Sequence, residues 1–150
     1  MGLAQQAEVL KGLTDSLRQA NLPQAPVVRS AVIPAVRREE IEGRTYVTVI
    51  PGVPKPERLT RSAIRLDLIF DVAIQRSVPT EKDSVGEVRD LDPAAVAAMM
   101  ELQRAVMLVL FAFPGVLHVE GINSGAPEHA VQGVWTSVYR VTIRGDAESL

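Results

Sequence analysis

The chain has 150 residues, of which 47% are hydrophobic and 23% charged, with a formal net charge of -2. This length and apolar content predict one globular domain and argue against a disordered chain. Cysteine is absent from the sequence, which excludes disulfides, thiol nucleophiles and thiolate metal sites. The first twenty residues lack the continuous apolar run of a secretory signal, and we expect them to belong to the folded domain.

Charge is distributed unevenly along the chain. Residues 27–76 carry nine basic and six acidic side chains, and residues 77–150 carry five basic and ten acidic. Thirteen of the 16 basic residues are arginine, which suits forked contacts to carboxylates, phosphates and protein surfaces. A GC-rich genome would explain the arginine bias equally well, so the bias alone does not identify a partner.

Periodic patterns predict a helix and two strands in the first half of the chain. Apolar residues at three- and four-residue steps predict an amphipathic helix over 3–20, which Asn21 ends. The following run, PVVRSAVIPAV, is strand-like, but Pro34 confines part of it to an edge or a bend. Residues 44–50 are rich in β-branched and aromatic side chains and predict a strand. The next ten residues, PGVPKPERLT, are expected to form a loop stiffened by proline.

A single long strand is predicted over residues 61–76, RSAIRLDLIFDVAIQR, where a large apolar residue occupies every second position. It is expected to pair with 44–50 in a long hairpin, about residues 44–77. At ~3.3 Å per residue it would span roughly 50 Å, more than the ~40 Å diameter of a compact domain of this size. A protruding part would expose apolar residues and call for a second copy of the chain to cover them, among them Ile64, Phe70 and Ile74. The alternative is a strand bent by a bulge that curls over a single core.

The second half predicts one helix and two strands. A polar, acidic connection over about 79–92 is expected to be exposed and mobile. Asp92 is a predicted N-cap, with Pro93 the first residue of a helix over 93–113. Because this helix is apolar around most of its circumference, a sheet on one side would leave much of it uncovered. The strand VLHVEGI and the loop NSGAPEHA follow, and a final strand places four residues on one face: Trp135, Tyr139, Val141 and Ile143. The tail GDAESL is expected to fray.

These elements predict an α+β fold in a single domain, residues 1–150. Its antiparallel sheet would contain the long β-hairpin and pack against the N-terminal helix and the second, apolar helix. The most apolar run, AVMLVLFAF, is too short to span a bilayer and ends at a Pro-Gly pair. We therefore expect no association with a membrane.

Charged residues on the long strand do not form a catalytic pair. Asp67 and Asp71 share one face of the strand but lie ~13 Å apart, beyond the separation of paired catalytic carboxylates. Cross-strand or intersubunit ion pairs that involve Arg65, or a solvated face, are the expected roles.

Metal, cofactor and nucleic-acid motifs are also missing from the sequence. His118 and Glu120 lie two residues apart with His129 eleven residues after His118, which is too weak a pattern for a metal site. No glycine-rich loop matches a phosphate cradle, and the arginines are not interleaved with aromatic residues that would stack on bases. We expect neither an enzyme nor a cofactor, and no metal.

Several stretches resemble one protein family. The chain is similar to tail terminator or tail completion proteins of long-tailed bacteriophages over about residues 3–145. The stretches that carry the similarity are VTVIPG, a loop that leads into TRSA, the long alternating strand, DPAAVAAMMELQRAVMLVL and WTSVYRVTI. The resemblance implies a small α+β subunit whose copies, commonly six, close into a ring at the head-proximal end of the tail tube. Such a ring ends polymerisation of the tube and provides the joint to the head.

The resemblance also implies partners and a location. The partners would be further copies of the chain, a tail tube protein, a head-completion or connector protein, and DNA that passes through the channel without sequence-specific binding. The location would be the virion tail or neck, assembled in the cytoplasm of the bacterial host. A head-to-tail connector or stopper is the near alternative, and a small-ligand-binding regulatory domain is the alternative from another class.

The long hairpin is expected to contact neighbouring copies and the tube. We assign the interface to six residues of its second half and of the turn before it: Arg58, Arg61, Arg65, Asp67, Phe70 and Asp71. The face with alternating charges would line the channel or the seam between subunits.

Overall fold

A computed structural model describes residues 2–32, 44–77, 93–124 and 134–150. In chain order its elements are α1 (Gly2–Gln19), β1 (Val27–Ser30), β2 (Thr45–Pro51), β3 (Lys55–Thr60), β4 (Ala63–Ser77), α2 (Pro93–Ala112), β5 (Val116–Ser124), β6 (Val134–Ile143) and β7 (Ala147–Ser149). Two helices and a seven-stranded sheet over these ranges confirm the α+β class. The expected acidic connection, the Asp92 cap and His129 lie outside the described residues.

The main sheet has the strand order β1-β2-β4-β6-β5. All neighbours in it are antiparallel except β1 and β2, which pair in parallel from Val27 opposite Tyr46 to Ser30 opposite Val49. The sheet is therefore mixed rather than purely antiparallel. A parallel pair needs a connection much longer than a hairpin turn, and the segment between β1 and β2 provides that length.

The long strand β4 belongs to two ladders in succession. Its C-terminal part, Leu68–Ser77, is the centre of the main sheet, where it pairs with β6 on one side and with β2 on the other. Its N-terminal part, residues 63–67, pairs with β3 and with β7. We call β3, β7 and residues 63–67 of β4 the arm.

Two predictions for the arm were wrong. The segment expected to be a proline-stiffened loop contains β3, and the tail expected to fray contains β7. Pro56 is compatible with β3 because this strand pairs only with β4 among the described residues, and an edge strand has free backbone positions where proline costs no ladder hydrogen bond. The N-terminal part of β4 is thus flanked on both sides.

The core lies between the main sheet and the two helices. From Leu68 to Ile74 the even-numbered side chains of β4 point into it. Together with leucines of α1 and the inner face of α2, they pack in one cluster: Leu13, Leu17, Leu68, Phe70, Val72, Ile74, Leu102 and Val106. Trp135, Tyr139, Val141 and Ile143 of β6 join the same cluster, as predicted. The expectation that Phe70 and Ile74 are exposed was wrong, because both side chains are completely buried.

Left-handed backbone conformations occur just after each helix. Asn21 follows α1 with φ 50°, and Gly115 follows α2 with φ 83°. Residues that adopt positive φ reverse the chain direction at helix C-termini, and glycine does so without strain. The helix bounds agree with the sequence prediction to within one residue at each end.

Candidate interaction surfaces

The solvent side of α2 carries large exposed apolar side chains. Three large side chains are more than half exposed there: Met100 at 60%, Leu108 at 56% and Phe111 at 57%. Steps of three and four residues place them on one face of the helix, with exposed Arg104 between them. Ala97 and Glu101 are also exposed on this side. We call this set, with Pro93, the α2 outer face.

The opposite side of α2 packs against the sheet through four buried residues, Met99, Leu102, Val106 and Leu110. The expectation that the sheet covers one side of this helix only is confirmed. In the described part of the chain, α2 is also the one helix long and apolar enough to cross a membrane by length and composition, a test that core helices of globular domains pass as well. Its inner face is occupied by the core, and its large exposed apolar side chains lie on the outer face.

The arm is the second exposed region. All six residues of β3 are exposed, and Leu59 has 44% of its surface accessible. Arg58 closes the turn between β3 and β4, because its guanidinium donates to the carbonyl oxygens of Thr60 at 3.2 Å and Arg61 at 3.1 Å. Arg61 lies exposed in that turn. Of the three arginines predicted at the interface, Arg58 therefore supports the turn, Arg61 faces solvent, and Arg65 is only partly exposed.

Asp67 joins the arm to the main sheet. Its buried carboxylate accepts two hydrogen bonds from Arg65, at 2.7 and 3.2 Å, and one from the backbone N–H of Gly145 at 3.3 Å. Burial is the largest single influence and opposes ionisation. The bonds from Arg65 and Gly145 and the charges of Arg65 and Arg144 together outweigh it, so the pKa of Asp67 lies below its usual 3.8.

Steric crowding at this junction requires glycine at position 145. A Cβ on Gly145 would overlap the carbonyl oxygen of Leu66, because the segment between β6 and β7 runs directly beside β4 at this point. Only glycine permits this approach, and the approach brings the N–H of Gly145 to Asp67. Nothing in the sequence pattern links these two positions, which are 78 residues apart.

Asp71 forms a cross-strand ion pair in the main sheet. Arg140 of β6 lies directly opposite it and donates from Nε at 3.0 Å and from Nη2 at 3.3 Å. The hydrogen bond and charge of Asp71 raise the pKa of Arg140. Cross-strand pairing was one of the expected roles of Asp71, whereas sequence reasoning missed Arg140, because the register between β4 and β6 could not be read from the sequence.

Phe70 does not belong to any of these surfaces. It lies at 0% exposure on the core side of β4, so its predicted place in the interface was wrong. The alternation along β4 continues through both ladders, but the apolar positions of the arm, such as Ile64, are only half-buried while those of the main sheet are fully buried. Of the predicted polar residues, Arg58 and Arg61 are exposed and Arg65 and Asp71 partly exposed, whereas Asp67 is buried.

Of the predicted histidine pattern, the described residues include His118 and Glu120. The Nε2 atom of His118 lies 3.5 Å from a carboxylate oxygen of Glu120, and both side chains are more than half exposed. The described residues contain no group of three or more side chains positioned to hold a metal ion.

A cavity of about 330 Å³ lies where α1 meets β1. Its lining is mostly apolar and includes Leu17, Leu22 and Val28 with one cation, Arg18. That cation is already engaged, because its Nε donates to the carbonyl oxygen of Val28 at 3.1 Å. The volume is at the lower end of the range for small-molecule sites.

No known protein family matches the chain, and a search of curated proteins finds no match.

Proposed function

We propose that this protein is a structural subunit of a bacteriophage tail. Its copies, commonly six, would form a ring at the head-proximal end of the tail tube. The ring would end tube polymerisation and provide the joint to the head. The proposal rests on the sequence resemblance and on the arm.

The arm is the observation that carries the proposal. It has no core of its own: β3 is exposed at every residue, and the inward positions of β4 beside it are only half-buried. Ribbons of two or three short strands are marginal in water without packing on one face. A neighbouring subunit packed against the arm would supply that packing.

The chemistry of the arm favours contact through side chains rather than through an added strand. Lys55 and Pro56 stand on the edge strand, and the register shifts between Arg58 and Thr60. Lysine, proline and bulges protect an edge from pairing with another strand. Leu59 and Arg61 are exposed beside them and offer one apolar and one forked cationic contact.

A closed ring requires two different surfaces on each subunit. In a heterologous contact, a patch on one copy meets a different patch on the next, and a rotation that closes gives a ring. The arm would be one patch, and the body of the neighbouring copy would carry the other. A single repeated contact then determines the whole assembly.

The paired charges of the sheet suit a passage for DNA. The guanidinium groups of Arg65 and Arg140 are each neutralised by a carboxylate of the same chain. Non-specific DNA binding depends on basic groups that displace counterions from phosphates. A surface whose arginines are already paired would let DNA pass without strong attachment.

The proposal is tested by particle size and by tube length. Purified protein at high concentration, alone and mixed with tubes of the tail tube protein from the same genome, is examined by light scattering and negative-stain electron microscopy. We expect rings of uniform diameter and a narrower length distribution of tubes. The double variant Leu59→Asp/Arg61→Glu should form no rings and should leave the length distribution of the tubes unchanged. The control Lys11→Glu, on the exposed surface of α1, should behave as wild type.

A chain that stays monomeric at high concentration and leaves tube growth unchanged would contradict the proposal. Binding to a head connector without any effect on tubes would instead identify a connector or stopper of the neck. The cavity at α1 favours a second candidate, a small-ligand-binding regulatory domain, which a thermal stability screen against a metabolite panel tests directly.

A further inference from the structure

The α2 outer face has an uneven distribution of size and charge along the helix. Its C-terminal half carries the large side chains Leu108 and Phe111, while its N-terminal half carries one large side chain, Met100, beside the small residues Pro93 and Ala97. The middle of the face holds one acid and one base, Glu101 and Arg104, both exposed. Neither forms a described ion pair within the chain. This asymmetry restricts what can cover the face.

A second α2 in antiparallel orientation matches the face at every one of these positions. When the centre of the pair lies between Leu102 and Gln103, Ala97 stands opposite Leu108 of the other copy, and Glu101 stands opposite Arg104. The same centre places Phe111 opposite Ala94, beside Pro93, and Met100 opposite Ala105. Each contact occurs twice by symmetry, so large meets small at both ends and opposite charges meet twice in the middle.

Other self-pairings do not match. A parallel arrangement would place Arg104 against Arg104 and Leu108 against Leu108, with like charges together and large side chains in collision at one end. An antiparallel shift by one turn would separate Glu101 from Arg104 and leave Arg104 facing apolar side chains. Only one register satisfies size and charge together.

We propose that the α2 outer face is covered by the same face of a second copy, in an antiparallel two-fold pair centred between Leu102 and Gln103. This contact goes beyond the ring and does not depend on it. A two-fold contact uses the same patch on both copies and closes as a dimer, so it cannot itself generate a ring.

The pair should be weak and depend on concentration. A helix of 20 residues is about 30 Å long, and one face of it contributes less area than the ~800 Å² per partner of a standard stable interface. A few exposed apolar anchors can nevertheless supply most of the affinity of such a contact. Measurements must therefore extend to high protein concentration.

The natural absence of cysteine allows a direct test of the register. Ala97→Cys and Leu108→Cys proteins are prepared separately and treated with a short bismaleimide, alone and as a mixture. In the proposed register, positions 97 and 108 of opposite copies lie side by side, while each position is about 16 Å along the helix axis from its own symmetry mate. We expect efficient crosslinking in the mixture and little in either protein alone.

The matched control is Lys11→Cys, on exposed α1 surface. Crosslinking in the mixture no faster than in this control would overturn the proposal, and so would equal crosslinking of each single variant with itself. Cysteine at either position leaves the core face of α2 unchanged, so misfolding does not confuse the result.

A charge exchange tests the same register without a crosslinker. Arg104→Glu should weaken the dimer about 10-fold or more in sedimentation equilibrium, because it opposes two pairs of like charges. Glu101→Arg/Arg104→Glu should restore the wild-type affinity, since opposite charges meet again. No rescue by the double variant would overturn the proposal.

Two further measurements separate other occupants of the face. Flotation of the wild-type protein with vesicles of phosphatidylcholine and phosphatidylglycerol is the first measurement. If the wild type floats with the vesicles and the Leu108→Glu variant does not, the face binds a lipid surface and the proposal is overturned. The Leu59→Asp/Arg61→Glu variant of the arm should retain the crosslink between 97 and 108. Loss of rings with retention of this crosslink would show that the two contacts are independent.

Discussion

The two parts of β4 show how one strand pattern serves two environments. From Leu68 to Ser77 the strand has long neighbours on both sides and a helix layer over its apolar face, and Phe70, Val72 and Ile74 are completely buried. From Ala63 to Asp67 its neighbours are short and its apolar face is only half covered. Alternation therefore predicts that a strand forms, whereas the neighbouring elements decide how much it stabilises the fold.

The largest effect should come from removing a core side chain in the main sheet. Phe70→Ala should lower the free energy of unfolding by about 3–5 kcal/mol, because the aromatic ring is completely buried and leaves a cavity. Ile64→Ala in the arm, where the side chain is only half-buried, should cost about 1 kcal/mol. Urea denaturation of both variants compares the two parts of β4. Equal losses of unfolding free energy would contradict the difference between the arm and the main sheet.

A smaller effect is expected where the two parts meet. Gly145→Ala should cost about 1–3 kcal/mol, because the added methyl group overlaps the carbonyl oxygen of Leu66 and forces the backbone apart. Gly121→Ala is the control, since its nearest contact would be an ordinary 3.8 Å to Tyr139. Hydrogen exchange should show that protection is lost only in the ladder of β7 with β4. A uniform loss of protection across the main sheet would argue against this account.

Asp67→Asn should cost about 1–2 kcal/mol at neutral pH, because it removes the charged partner of Arg65 but keeps an acceptor for Gly145. The lowered pKa of Asp67 means that its ionised form stabilises the folded state above the unfolded value near 3.8. This stabilisation is lost as the pH falls through the still lower folded pKa. Thermal melts from pH 7 to pH 2 should show the wild type and the variant converging at the acid end, and a constant difference would refute this role.

The smallest effect is expected at the turn of the arm. Arg58→Lys should cost less than about 1 kcal/mol, because the two hydrogen bonds of the guanidinium to carbonyl oxygens are exposed to water. Global stability should hardly change, while amide exchange at Arg61 and Ser62 should become faster. Unchanged exchange there would mean that the turn does not need the forked contact.

The sequence was sufficient for the elements with a strong period and a clear end. Both helices, β2 and β6 were predicted because their patterns extend over many residues, and because Asn21 and Gly115 follow the helices. The arm was missed in part, since β3 contains prolines and β7 is polar. Those strands form because β4 offers them a ladder, and pairing partners are not visible in a local pattern.

The two candidate surfaces differed in how far the sequence predicted them. The exposed side of α2 followed from composition alone, because a helix that is apolar all round exceeds what one sheet can cover. Asp67 was noticed as a charged residue, but its role depends on Gly145, which approaches where the chain continues from β6 into β7 beside β4. Contacts between distant segments require the register of the sheet, which the sequence pattern does not contain.

The continuity of β4 from the arm into the middle of the sheet has a mechanical consequence. A pull on the arm along the strand direction would be transmitted by covalent bonds to a segment held by ladders on both sides. Hydrogen bonds of an antiparallel ladder lie perpendicular to the strands, so such a force loads many of them at once in shear rather than opening them one after another. A subunit gripped by its arm would thus resist extraction more strongly than its modest surface contacts suggest.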